Sequence, residues 1–256
     1  ELNAVTDNPL VFPDREAEHV EQQVISAGHF HGMPLALAMS AVKAAIPVLA
    51  SISERRLNKL VDPATSDGLP GFLIGNEDGT ESGFMIVQYT AAAIVNDLAT
   101  RAHPASVYSI PTSANAEDHV SMGTNEARHV LSMVDDLGKV LALELYTAAQ
   151  ALDLRLDMIN AARDLARRGD VQALLRKVHG VPEGDPRHPA FVAEVEALRQ
   201  ELARAEPFHP GRRVAAAHAA IRRRIPFLDR DRALDADVAA AVELVADGTL
   251  LEAIGR

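Results

Sequence analysis

Apolar residues in the first half of the chain recur at helical spacing in three long stretches. From Pro34 to Val61 they fall at Leu35, Met39, Val42, Ile46, Leu49 and Ile52, steps of three and four that share one helical face. Pro47 lies inside this stretch and removes a backbone hydrogen bond, which predicts a kink or break between Ala44 and Pro47. Phe84, Val87, Ala91, Ile94, Val95 and Leu98 form a second stripe, and His103-Pro104 ends it, because the residue before a proline is pushed out of the helical region. A third helix is predicted from near Ser121 to at least Asp153, with apolar residues at Val130, Val134, Leu137, Leu141, Leu145, Ala148 and Leu152. Between Val140 and Leu152 only Glu144, Thr147 and Gln150 interrupt an apolar surface, which predicts a helix buried at the centre of a bundle or an oligomer.

The intervening segments lack either periodicity. Residues 62–83 carry five glycines and two prolines and read as a structured loop; Ala105 to His119 is rich in Ser, Pro, Asn and Asp and reads as a loop held by its neighbours. Glu1 to Gly32 mixes turn chemistry at Thr6-Asp7-Asn8-Pro9 with short apolar runs, so irregular structure with short strands is expected there. Beyond Arg155, short Ala-, Arg- and Glu-rich helical runs are punctuated by Gly180-Val181-Pro182, Asp185-Pro186, His188-Pro189 and Pro207 to Gly211. A last helix is expected from Asp235 to Ile254, interrupted at Gly248. No strand pattern follows residue 32, so the expectation is an all-α fold of long antiparallel helices forming a bundle. Residues 1–155 would hold the central bundle and the site loops, and residues 156–256 a peripheral helical region.

Composition narrows the possible partners. The 256 residues are 48% hydrophobic, enough to bury a sizeable core, and a formal charge of -11 argues against nucleic acid or an anionic membrane as partner. The absence of cysteine excludes disulfides, thiolate nucleophiles and cysteine-ligated zinc and allows a reducing compartment, with the cytoplasm as the expectation. No unbroken apolar run approaches the roughly 20 residues of a membrane span, and no charged-then-apolar leader opens the chain. The chain opens on Glu1, inside a motif, and is expected to be part of a longer or processed protein.

Four polar-rich segments are candidate site loops: Thr6 to Pro9, Ser26 to Gly32, Gly68 to Met85, and Thr112 to Met122. Converging loops on a helical scaffold are a common way to build a site, although each segment alone is ordinary turn chemistry. His29 and His31 offer two imidazoles, but no third or fourth ligand is evident, so no metal site is expected; Gly28 and Gly32 suit a close backbone approach. Phe30 reads equally as a substrate-contact ring or a core residue. Glu117, Asp118 and His119 read either as acid-base groups or as charges favoured at a helix N-terminus, with Ser121 a candidate cap. The late histidines His179, His188, His209 and His218 are expected to be solvated.

Taken in order, Glu1 to Pro9, Gly28-His29-Phe30-His31-Gly32, Ser53-Glu54-Arg55-Arg56, Gly68-Leu69-Pro70, Ser82-Gly83-Phe84-Met85 and Ser113 to Met122 resemble the C-terminal half of the aromatic amino acid lyases, the histidine ammonia-lyases above all. The similarity is dense to about Arg155 and resumes weakly from Pro226 to Asp231. The resemblance implies an α-helical homotetramer with active sites built from several subunits, acting on a small amino-acid substrate. It also implies a 4-methylideneimidazol-5-one electrophile, made from an internal Ala-Ser-Gly that this sequence does not contain. An upstream segment or companion chain would supply that group, a catalytic tyrosine and a carboxylate-binding arginine, and the chain alone would be inactive. Phe30 matches the family's active-site aromatic, Asn8 an orienting asparagine, and Glu117 the carboxylate that contacts the substrate imidazole. His29 stands where histidine lyases usually have Asn, and Ala116 where they usually have Gln. Those departures leave open a lyase or aminomutase for another aromatic amino acid, and a non-catalytic helical assembly subunit is the rival from a different class. Residues 161–224 match nothing expected of the family.

Overall fold

A computed structural model describes residues 2–14, 16–75, 79–170, 172–174, 176 and 188–255. The fold is all-α, apart from the antiparallel pair β1 (Leu10–Val11) and β2 (Val24–Ile25), joined in register Leu10 to Ile25 and Val11 to Val24. The helices with described bounds are α1 (Met33–Val61), α2 (Met85–Arg101), α3 (Gly123–Arg168), α4 (His188–Arg204), α5 (Arg212–Arg224), α6 (Asp235–Ala246) and α7 (Thr249–Ala253). Pro47 lies within α1 without ending it. Gly248, at φ 76°, separates α6 from α7 as its sequence position predicts. The two predicted loops hold short 3-10 turns, at Gly71–Leu73 and at Ala105–Val107 and Ser113–Asn115.

The chain divides into two compact units, Glu1–Ser53 with Ala91–Val140, and Glu54–Thr90 with Leu141–Arg256. In the first, Ile46 and Ala50 of α1, Leu98 of α2, and Met133 and Val140 of α3 make one core, flanked by Ile94, Val95, Val130 and Leu137. Ser40 and Lys43 meet Glu126, and Lys43 also meets His129, so α1 and α3 run the same way. Arg101 at the end of α2 meets Ser132 and Asp136 of α3, whereas Glu126 reaches back to Ser106 beyond α2. The order is therefore up, down, up, with consecutive helices antiparallel.

The α2 stripe is as predicted: Phe84, Val87, Ala91 and Leu98 are buried. The α1 stripe is not. Ala36, Lys43, Ile46 and Ala50 face inward, while Val42, Leu49 and Ile52 are exposed. Hydrophobic periodicity missed the turn of this face because its pivot is a lysine. In α3, Val134 and Leu145 are likewise exposed, while Val140, Ala142, Leu143, Tyr146, Thr147, Ala149, Gln150 and Ala151 are buried, which bears out the burial predicted for the stretch to Leu152.

By length and composition α1 is apolar enough to cross a membrane, contrary to the expectation drawn from unbroken runs. Lys43 is what breaks the run in sequence. Its ammonium is buried within the first unit, where Glu126, His129 and the His103 carbonyl bind it, so the helix carries a paired charge in its middle.

The second unit has a core of Ala162, Ala166, Leu174 and Val195, with Val192 and Leu202 packed on it, where the end of α3 meets α4. Helix α3 thus continues well past Arg155, where a change of character had been read. Helices α5, α6 and α7 pack on one another. The central group here is Gln150, fully buried. Its amide donates to the carbonyls of Leu73 (3.1 Å) and Leu228 (2.8 Å) and accepts from Leu228 N (3.1 Å) and Arg222 Nη2 (3.3 Å), so one side chain pins three segments. Arg222 Nε donates to Asp153 at 2.6 Å, and His218 Nε2 lies 2.8 Å from the same carboxylate. His218 therefore lies partly buried on α5 beside Asp153 and is not a solvated residue. His209 is exposed, and His179 and the His188 side chain lie outside the described residues.

Candidate functional site

Three of the four candidate loops belong to the first unit, and Gly68 to Met85 belongs to the second. Asn8 donates from its backbone to Asp7 Oδ1 (2.8 Å), and its own Oδ1 accepts from Ala27 N (3.2 Å) and Ser26 Oγ (3.3 Å). The Thr6-to-Pro9 turn is thereby fastened to the start of the Ser26-to-Gly32 loop. That loop ends against the Thr112-to-Met122 segment, where the His31 and His119 rings stack at 5.5 Å and 7°. His31 Nε2 also lies 3.1 Å from the His119 carbonyl. The two segments approach closely at Gly32, where a Cβ would lie 3.1 Å from Ser121 Oγ.

The Glu117 segment has its own scaffold. Thr112 and Glu117 exchange backbone hydrogen bonds, Thr112 N to Glu117 O at 2.9 Å and Glu117 N to Thr112 O at 3.3 Å, which close a tight loop. Ser113, Ala114 and Asn115 take positive φ of 52°, 54° and 70° inside it. Three consecutive non-glycine residues in that region are costly unless their surroundings fix them, a pattern that collects at functional sites. Val120 N donates to Ser109 Oγ at 2.8 Å and anchors the far side. Phe30 (46% exposed) and Glu117 both present their side chains outward. Helix α3 starts at Gly123, and the acid in its first turn is Glu126. The reading of Glu117 and Asp118 as helix-terminus charges therefore passes to Glu126.

Glu126 belongs to a buried cluster that hydrophobic patterning does not reveal. Its Oε1 accepts from Ser40 Oγ (2.9 Å) and Ser106 N (3.0 Å), and its Oε2 pairs with Lys43 Nζ at 2.7 Å. Lys43 gives its other hydrogens to the His103 carbonyl (2.7 Å) and His129 Nδ1 (3.1 Å). Burial by itself pushes the Glu126 carboxyl up, but the bonds from Lys43, Ser106 and Ser40, with the Lys43 charge, outweigh it and hold the group down to about 2. The available signal was a single lysine in the apolar 33–52 stretch, which has no reason to be there unless paired.

In the second unit two further motifs meet. The Asp231 carboxylate accepts from Ser82 N (2.6 Å) and Gly83 N (2.7 Å) just before α2, joining the Ser82-to-Met85 motif to the Pro226-to-Asp231 motif. Gly83 is at φ 49°, and a Cβ there would lie 2.5 Å from the Phe72 carbonyl, so only glycine fits. Glu54 accepts from Arg55 (2.6 and 2.7 Å) and from Gln88 (2.7 Å); burial raises its carboxyl, and these bonds bring it below the ordinary value. Burial, and then the Asp237 carboxylate 2.7 Å away, push the Tyr146 hydroxyl up. A cleft of about 810 Å³ is lined by Asp153, Asp157, Arg222, Phe227 and Asp229, and in the first unit one of about 520 Å³ by Leu35, Met39, Val120 and Met122. Among the described residues no group of three or more His, Cys, Asp or Glu could hold a metal ion.

These motifs and this all-helical scaffold define a member of the aromatic amino acid lyase family, whose model matches residues 1–177, and the chain belongs to that family. Among individual proteins, it is 41% identical over 250 residues to the histidine ammonia-lyase of Anaeromyxobacter sp. (strain K), covering 98% of this chain and 38% of that protein. Against the histidine ammonia-lyase of Natranaerobius thermophilus it is 56% identical over 155 residues, 60% of this chain and 29% of that one. The solved histidine ammonia-lyase of Trypanosoma cruzi superposes with a TM-score of 0.72 at 31% identity, over 99% of this chain and 39% of that one. Tyrosine aminomutase from Streptomyces globisporus gives a TM-score of 0.70 at 29% identity, over 98% and 37%. The chain thus spans between about three tenths and two fifths of the length of these relatives.

Proposed function

We propose that the chain is the C-terminal portion of an ammonia-lyase that converts L-histidine to urocanate and ammonia. The observation that carries this reading is Glu117, an outward-facing carboxylate on a rigid, strained loop, in a chain whose relatives include histidine ammonia-lyases. A carboxylate accepts the N–H of an imidazole and stabilises it as it gains positive charge, which a phenyl or phenol ring does not require. Phe30 packs on the substrate ring, Asn8 orients the Phe30 loop through Ser26 and Ala27, and the loss of the α-amino group and a β-proton leaves the unsaturated acid.

The family's 4-methylideneimidazol-5-one supplies, when present, the electrophile that makes the α-amino group a leaving group. No Ala-Ser-Gly occurs in these 256 residues, and the carboxylate, ring and amide on these loops suit a substrate and not the formation of that group. The group would come from residues outside this sequence, and the chain alone would be inactive. Residues 1–155 would carry the bundle and site loops and 156–256 the periphery. A cytoplasmic location and a homotetramer belong to the same proposal; the outward apolar side chains Leu37, Val48, Leu49 and Ile52 of α1 and Leu131 of α3, which want a cover, support assembly as an oligomer. His29 and Ala116, together with the likeness to a tyrosine aminomutase, favour as second reading an aminomutase or lyase for another aromatic amino acid.

The test is product analysis, with ammonia release measured beside it, when the complete protein containing this chain is given L-histidine, L-tyrosine or L-phenylalanine: a lyase forms the unsaturated acid and ammonia, whereas an aminomutase forms a β-amino acid with no net release of ammonia. Preferred turnover of L-histidine supports the first reading. Preferred turnover of L-tyrosine or L-phenylalanine supports the second, and inertness toward all three supports a non-catalytic assembly role.

A further inference from the structure

We infer that His31 is a positioning residue that couples Phe30 to Glu117, an inference that rests on the substrate reading above. Phe30 immediately precedes His31, and Glu117 lies two residues before His119, so the contact between the two imidazoles joins the two sides of the proposed pocket. Met33 N donates to His31 Nδ1 at 3.3 Å, which requires a lone pair on that nitrogen. The proton then sits on Nε2, which points at the His119 carbonyl 3.1 Å away and donates to it. One neutral tautomer satisfies both bonds, and the ring is left no other orientation that keeps them.

Each bond reaches a fixed element. Met33 is the first residue of α1, so Nδ1 registers the Phe30 loop to that helix. His119 is followed by Val120, whose N–H is anchored on Ser109, and is preceded by the tight loop that Thr112 and Glu117 close. The backbones also approach where the rings stack: a Cβ on Gly123 would lie 3.5 Å from the Gly32 carbonyl. A shift of His31 therefore moves the Phe30 ring and the Glu117 carboxylate relative to each other, although His31 itself need not touch substrate.

Two measurements decide it. In ¹⁵N spectra of the uniformly labelled complete protein, the His31 ring should be the Nε2–H tautomer, and His31→Ala should displace the Glu117 amide resonance; an Nδ1–H tautomer or an unmoved Glu117 amide overturns the coupling. In the complete protein, His31→Ala should raise KM for L-histidine about tenfold with kcat changed less than about threefold, as loss of one orienting hydrogen-bond pair implies. His31→Gln keeps an N–H able to reach the His119 carbonyl and should restore most of that KM. Unchanged KM in His31→Ala, or a loss that His31→Gln does not restore, would make His31 a structural residue only. A parent protein inert toward L-histidine would sink the substrate reading, and the spectra would then still decide whether His31 couples the loops.

Discussion

The interior around Lys43 and the loops around Phe30 and Glu117 belong to the same unit, yet they use polar groups in opposite ways. Inside, each hydrogen of the Lys43 ammonium has a partner, and the Glu126 carboxylate takes three donors. On the loops, backbone bonds and the Asn8, His31 and Ser109 side chains do the holding, and the Phe30 and Glu117 side chains are presented outward. Closed polar networks specify a fold, because breaking one strands a buried group; side chains held out on a rigid backbone are available to a ligand. Substitutions in the first set should therefore cost stability, and those in the second activity.

The largest effect is expected at Lys43. Lys43→Met leaves Glu126 as an unpaired buried charge and should cost about 3–5 kcal/mol in denaturant unfolding, with much of it recovered in the double variant Lys43→Met/Glu126→Leu. If the double variant is no more stable than the single one, the pair is not the source of the loss. Next is Gln150→Leu in the second unit, which strands two carbonyls and the Leu228 N–H and should cost about 2–3 kcal/mol.

Acid should expose the same charged pair. The Glu126 carboxyl is held at about 2 in the folded protein, below its unfolded value, so its stabilising contribution is complete above pH of about 4.5 and is lost as pH falls toward 2. A urea-unfolding series across that window should show stability falling with pH, and the fall should shrink in Glu126→Gln. A smaller change is expected at the surface, where Asn8→Ala removes two exposed bonds to the Phe30 loop and should cost about 0.5–1 kcal/mol.

The same contrast explains what could be read from residue order. The α2 stripe was legible because a helix that buries only apolar groups shows its face as a period. The α1 face was not: Lys43 sits at its centre, and its justification, Glu126, lies 83 positions away in sequence. Gln150 had looked like an interruption of an apolar stretch, and it is the residue that the second unit is built around. On the loops, the family motifs located Asn8, Phe30 and Glu117, whereas the stacking of His31 on His119 is a tertiary contact that spacing does not encode. The late His218 was misread for the same reason, since its partner Asp153 is on another helix.

The most direct test of the account is Glu117→Gln in the complete protein, followed by both thermal unfolding and turnover of L-histidine. An exposed loop carboxylate that binds the substrate imidazole predicts an unfolding midpoint close to the parent's and a kcat/KM lower by about 10- to 100-fold, the worth of one hydrogen bond to a charged group. Parental turnover of L-histidine by this variant would contradict the assignment of Glu117, and with it the division of labour between interior and loops.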